Sequence, residues 1–176
     1  MDNHKSVDVA GGSKADCGNI LLWSYNGGKN QQWEVKIDPN DGYATIKNVN
    51  SGKLLDVEGG SIRDGANVCQ YHENGGDNQK WLIKTSNNGY TITSKVSPNF
   101  KVDLGGGSTA DGSNILMWHT NGGANQDFYF FNMNPDVPAS DASFKGGYYK
   151  INSKNAPKMV ADINGASLDN GANSII

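Results

Sequence analysis

An all-β fold is predicted by three features of this 176-residue sequence: three repeated units of about 47 residues, each holding four short strands, together close a pseudo-threefold barrel. First, one block of residues recurs three times without gaps, and repetition at a fixed spacing marks an architecture built from one supersecondary unit. Second, apolar and polar residues alternate within the block. Trp33, Val35 and Ile37 fall on one face and Gln32, Glu34 and Lys36 on the other, the period-two pattern of a half-buried strand. Third, the 23 glycines gather in Gly-Gly-Ser, Asp-Gly and Asn-Gly-Gly clusters, where Gly accepts a positive φ and Asn or Asp bonds nearby backbone. Strands are therefore short and turns frequent. Three such units describe a β-trefoil, and the chain is long enough for one such domain with a sizeable core.

The first unit opens on Val7-Asp8-Val9, turns at Gly11-Gly12-Ser13, and runs through Asp16, Asn19 and Ile20 to Trp23, Asn26-Gly27-Gly28 and Asn30-Gln31-Gln32-Trp33. The second repeats it 48 residues on, as Leu55-Asp56-Val57, Gly59-Gly60-Ser61, Asp64, Asn67, Val68, Tyr71, Asn74-Gly75-Gly76 and Asn78-Gln79-Lys80-Trp81. The third follows at 47, as Val102-Asp103-Leu104, Gly106-Gly107-Ser108, Asp111, Asn114, Ile115, Trp118, Asn121-Gly122-Gly123 and Asn125-Gln126-Asp127-Phe128. Gly42-Tyr43-Ala44-Thr45-Ile46 and Gly89-Tyr90-Thr91-Ile92-Thr93 precede the second and third Asp and supply the leading strand of those units.

The first unit lacks that leading strand. A fourth copy starts at Gly147-Tyr148-Tyr149-Lys150-Ile151-Asn152, passes through Asp162 to Asn173, and stops one residue short of the position matching Trp118. The expected organisation is three trefoil repeats over 1-132, a linker or enlarged loop over 133-146, and a partial fourth repeat over 147-176 that contributes strands and no ligand site. Soluble proteins cover open strand edges, so Tyr148 to Asn152 is expected to fill the empty slot, in its own chain or by strand exchange with a neighbouring one. The alternative is that the tail opens the next module of a tandem array.

Charge and motif content narrow the function classes. The formal charge is −3 and the 15 Lys and Arg are scattered, which leaves no electrostatic footprint for nucleic acid or an anionic membrane. No apolar run approaches the roughly 20 residues of a membrane span. Cys17 and Cys69 occupy non-equivalent places in the repeat, so nothing pairs them, and no metal-ligand spacing or cofactor motif is present. A glycosidase needs two carboxylates about 5 to 10 Å apart in one cleft. Each unit here offers one candidate Asp, distributed by the symmetry, so a binding module is expected and an enzyme is not. An export signal would lie outside this sequence, because Met1 to Val9 has neither charged head nor apolar stretch.

The tripeptides Gln31-Gln32-Trp33, Gln79-Lys80-Trp81 and, with Phe for Trp, Gln126-Asp127-Phe128, with the Gly-Gly-Ser, Asp-Gly and Asn-Gly-Gly blocks around them, resemble the Gln-x-Trp repeats of ricin B-chain-like lectins and family 13 carbohydrate-binding modules. The likeness spans nearly the whole chain apart from 133 to 145. It implies a secreted or cell-surface module that binds galactose-type or xylan-type glycans and is attached to a glycoside hydrolase or a toxin. In sugar-binding members the Asp accepts from two sugar hydroxyls, the later aromatic stacks on the ring, and the Asn beside Gln-x-Trp donates a further bond. Residue by residue this implies sugar contacts at Asp8, Trp23 and Asn30; at Asp56, Tyr71 and Asn78; and at Asp103, Trp118 and Asn125. Asn26, Asn74 and Asn121, and the paired Gln31, Gln79 and Gln126, are candidates for additional contacts. Where some relatives carry a polar group two residues before the aromatic, this sequence has Leu21, Cys69 and Leu116, a departure that bears on sugar preference.

The chemistry agrees with these residue types, since a pyranose offers an apolar C–H face and a rim of hydroxyls and calls for a flat aromatic beside ionised or amide groups. Trp33, Trp81 and Phe128 are expected in the core, and the three Gln to bond backbone in turns. Asp16, Asp64, Asp111, Asn19, Asn67 and Asn114 read as turn residues, and His72 and His119 as surface residues beside the aromatics. The rival reading is a protein-interaction β-trefoil without sugar binding. Its interface would have no need of the same Asp and aromatic in every unit.

Overall fold

The computed structural model describes residues 5–86, 89–133 and 144–155, and among these it contains twelve β-strands linked by turns and short 3-10 segments. The first unit supplies β1 (Lys5–Val9), β2 (Gly18–Ser24) and β3 (Trp33–Ile37). The second supplies β4 (Ala44–Asn48), β5 (Leu54–Val57), β6 (Ala66–Tyr71) and β7 (Trp81–Ser86), and the third β8 (Gly89–Ser94), β9 (Phe100–Leu104), β10 (Ser113–His119) and β11 (Phe128–Asn132). The last strand is β12 (Gly147–Ser153).

Every pairing is antiparallel, and most recur threefold. β1–β2, β5–β6 and β9–β10 are hairpins within a unit. β3–β4, β7–β8 and β11–β12 join one unit to the next. The aromatic that follows each Gln-x is the pivot: Trp33 pairs with Tyr149, Trp81 with Ala44 and Phe128 with Tyr90. β12 thus lies in the same chain as a partner of both β11 and β3, in the position that β4 and β8 hold in their units. Matched backbone bonds repeat the equivalence, with Val49 N–H to Gln32 O, Lys95 N–H to Lys80 O and Lys154 N–H to Asp127 O all 2.9 Å.

The core holds the face that alternation selected. Trp33, Trp81 and Phe128 are fully buried, with Ile20, Leu22, Ile46, Ile92, Leu104 and Ile115 around them. Two of the three aromatics also make a bond: Trp33 Nε1 donates to Val7 O at 3.0 Å and Trp81 Nε1 to Leu55 O at 3.1 Å, each the carbonyl just before a repeated Asp. Phe128 has no side-chain N–H to offer Val102 in the third unit. The thiols of Cys17 and Cys69 are free. They lie on adjacent chain segments, since Asn19 pairs with Cys69 and Cys17 N–H donates to Gln70 O at 2.9 Å. Residues 134–143 and 156–176 fall outside the described residues. Most of the expected 133-146 linker or loop and the fourth copy around Asp162 to Asn173 fall there too.

Candidate functional site

Each repeated Asp sits one residue before the end of its strand, opposite the residue that departs from the sugar-binding pattern: Asp8 pairs with Leu21, Asp56 with Cys69 and Asp103 with Leu116. All three side chains are buried. Burial raises their carboxyl pKa values above the usual aspartate range, and the neighbouring Gln and Asn amides oppose it by bonding the charged form. The amide donors are the residues flagged in the sequence. Asn30 Nδ2 donates to Asp8 at 2.9 Å, Asn78 to Asp56 at 2.8 Å and Asn125 to Asp103 at 2.8 Å. Asn30 reaches Oδ2 of Asp8, and Asn78 and Gln79 both reach Oδ2 of Asp56.

The Gln of each Gln-x-aromatic is a buried clamp. Its Oε1 accepts the backbone N–H of Asn26, Asn74 or Asn121, and its Nε2 donates to the carbonyl of Ser24, His72 or His119, the residue directly after the aromatic. In the second and third units the same Nε2 also donates to the site carboxylate, from Gln79 to Asp56 at 2.9 Å and from Gln126 to Asp103 at 3.0 Å. One side chain therefore sets the aromatic and the carboxylate against each other. Asn26, Asn74 and Asn121 are exposed and spend their side-chain oxygen on the N–H two residues on, at Gly28, Gly76 and Gly123. Those three glycines are required for space. A Cβ on Gly76 would lie 2.3 Å from Asn78 Oδ1 and 2.9 Å from Asn74 Oδ1, so any side chain would push out the Asn that holds Asp56.

The aromatics stand at or next to the strand ends, each paired with the residue two before the Asp: Trp23 with Ser6, Tyr71 with Leu54 and Trp118 with Lys101. Trp23 is 43% exposed, and Tyr71 and Trp118 are half-buried. His72 lies against Tyr71, with ring centroids 4.4 Å apart, and His119 beside Trp118 at 5.9 Å.

Sequence reasoning took Asp16, Asp64 and Asp111 for turn residues, but each also reaches into the following unit. Asp16 accepts from the His72 backbone N–H at 3.0 Å and contacts its Nδ1 at 2.9 Å; Asp64 does the same to His119 at 2.7 and 2.8 Å. Asp111 closes the circle on Ser24, accepting its N–H at 2.6 Å and its hydroxyl at 2.9 Å, with Lys5 paired to the same carboxylate. The Lys53 and His72 bonds hold the Asp16 carboxyl down at about 2, and the His119 backbone bond lowers Asp64. The available signal was that the residue after every aromatic, Ser24, His72 or His119, carries a side-chain donor. Asn19, Asn67 and Asn114 are also more than turn residues: Asn19 Nδ2 donates to Asn114 at 2.9 Å and Asn114 Nδ2 to Asn67 at 3.1 Å, joining all three units. Among the described residues no three His, Cys, Asp or Glu group together to hold a metal ion.

The family described as ricin-type beta-trefoil lectin domain-like matches residues 1–71, 29–118 and 77–176. Among solved structures, the designed threefold-symmetric protein ThreeFoil is 41% identical over 71% of this chain and 89% of its own, with a TM-score of 0.67. An exo-β-1,3-galactanase from Clostridium thermocellum is 31% identical over 86% of this chain, with a TM-score of 0.64, and this chain spans 30% of its length. The Macrolepiota procera ricin B-like lectin, solved in complex with lactose, has the same fold at 23% identity, covering 72% of this chain and 93% of its own with a TM-score of 0.58. No curated protein sequence matches the chain.

Proposed function

This chain belongs to the family of ricin-type β-trefoil lectin-like domains, a carbohydrate-binding family, and from that premise we propose that it is a non-catalytic glycan-binding module with three weak sites acting together. One observation carries the reading: a buried carboxylate, an amide bonded to it and an exposed or half-exposed aromatic recur together in all three units. In each, the Asp accepts hydrogen bonds from sugar hydroxyls, the Asn uses its amide for a further bond, and Trp23, Tyr71 or Trp118 receives the apolar face of the ring. Asn26, Asn74 and Asn121 serve as rim residues at most, because their oxygens are committed to the turn.

Shallow sites of this kind exchange water for sugar at small net gain, which corresponds to dissociation constants of about 1 mM per site. Three on one rigid body gain about 10²-fold in avidity on a polymeric or clustered glycan. The likeness to part of an exo-β-1,3-galactanase supports galactose-type over xylan-type glycans and supports attachment to a glycoside hydrolase in a longer, secreted or cell-surface protein. A glycan array followed by polysaccharide gel retardation tests this, with Asp56→Ala, Asp103→Ala and Trp118→Ala as controls. Retention of galactans by the intact chain and weakened retention by each variant is the expected result. Binding unchanged by all three substitutions would reject the sites, and a wild-type chain that retains no glycan would reject the function.

A further inference from the structure

We propose that every one of these sites is built by two repeats: Asp16, Asp64 and Asp111 are positioning residues for the aromatic of the following unit, so that the sites are linked head to tail in a closed circle. This rests on the sugar-binding reading above.

The residue after each aromatic is tethered from both sides. In the third unit, the His119 carbonyl is held by Gln126 of its own unit at 2.9 Å, while its backbone N–H and ring are held by Asp64 of the second unit at 2.7 and 2.8 Å. The N–H gripped by Asp64 belongs to the peptide that joins His119 to Trp118, so the grip fixes the main chain directly beneath the stacking ring. Gln126 carries the restraint on to Asp103 at 3.0 Å, so the carboxylate and the platform share one chain of bonds that begins in another repeat. The second unit has the same chain, from Asp16 through His72 and Gln79 to Asp56. In the first, Asp111 grips Ser24, whose carbonyl is held by Gln31.

An independent contact makes the same point in the first unit. The Trp23 ring lies over the turn of the third, where a Cβ on Gly112 would come within 3.9 Å of Trp23 Cζ3. The neighbouring turn therefore supplies part of the floor on which that platform rests. These carboxylates are all more than a third exposed, and such pairs contribute little to global stability, so three repeats of one geometry beside three candidate sites are better explained by positioning than by folding.

The consequence is displacement: a change in one unit disables its neighbour's site. Lactose titrated into the full-length chain, followed by two-dimensional NMR, separates the sites through the indole N–H signals of Trp23 and Trp118 and the backbone amide of Tyr71. Asp64→Ala is expected to weaken the Trp118 site by about tenfold, while the Tyr71 site, in the unit that contains residue 64, titrates as in the wild type. Asp16→Ala should move the loss to Tyr71, and Asp111→Ala to Trp23. Asp64→Asn, which keeps an oxygen for the His119 N–H, should recover most of the loss, a rescue that global destabilisation would not follow. Unchanged binding at Trp118 in Asp64→Ala, a loss confined to Tyr71, or equal loss at all three sites would each overturn the composite site and leave sugar binding intact. Absence of lactose shifts in the wild type, with the glycan array also blank, would remove both.

Discussion

The first unit and the other two carry the same Asp, aromatic and Asn, yet hold them differently. In the second and third units the Gln side chain ties the carboxylate to the carbonyl after the aromatic, and a His ring clamped by the preceding repeat lies beside the platform. In the first, Gln31 Nε2 bonds Ser24 O at 3.0 Å and favours the charged form of Asp8 without a carboxylate bond as well formed as those of Gln79 and Gln126, the clamped residue has no ring, and Trp23 is the most open of the three platforms. Its turn differs as well. Cys17 takes φ 58 at the place where Gly65 and Gly112 take φ 77 and 88, a left-handed conformation that costs an L-residue about 1 kcal/mol. Threefold symmetry is thus a property of backbone and buried polar frame, while the stiffness of each site is set by side chains that vary.

The largest expected effect that would break this comparison is at the carboxylates. Asp103→Ala removes a charged acceptor of about 1.5 to 3 kcal/mol per bond and should lower lactose affinity at the Trp118 site by about 100-fold. Asp8→Ala should cost the looser first site less, and equal losses by site-resolved NMR would mean that the Gln bridge has no bearing on affinity. Next in size is Trp81→Phe, which strands the buried Leu55 carbonyl and leaves a cavity; thermal unfolding should record a loss of about 2 to 3 kcal/mol. The third unit already tolerates Phe128, so an undetectable change would show that the indole bond to the Asp strand is dispensable everywhere.

Acidification should separate binding from folding. The carboxyls of Asp8, Asp56 and Asp103 are raised by burial, so on lowering the pH they take up protons, and lose acceptor strength, above the ordinary 3.8. Asp16 and Asp64 are lowered, so the stability they contribute is present above the unfolded value and is lost only as the pH falls through the folded one, about 2 for Asp16. Sugar affinity should therefore decline while near-ultraviolet circular dichroism is still native. Simultaneous loss of both would contradict this order. Smallest is Cys17→Gly, expected to stabilise by no more than about 1 kcal/mol, since relief of the left-handed strain is partly offset by the freedom Gly gains when unfolded.

The residues of the repeat made most of the fold legible. Period-two alternation has one structural solution when half the strand must be dry, so the burial of Trp33, Trp81 and Phe128 could be read directly. Turn chemistry likewise marked the Asn-Gly-Gly segments, because their Asn side chains bond backbone two residues away and need no distant partner. Family likeness implied that each Asp and the Asn 22 residues on contact one ligand, while the hydrogen bond between the two is supplied by the structure alone.

Other features involve partners that local pattern does not encode. Asp64 meets His119 across 55 residues, and Lys154 takes the place of Val49 and Lys95 only once β12 has docked between β11 and β3. A carboxylate in a turn looks the same in sequence whether it caps its own loop or grips the next repeat. Residue types and their spacing determined by themselves the repeat and the core face, because each follows from short-range geometry and water exclusion, and the proposed ligand-facing set came from the family likeness. Only the closed barrel decided that neighbouring units complete one another's sites, because that depends on where the threefold arrangement brings side chains from distant parts of the chain together.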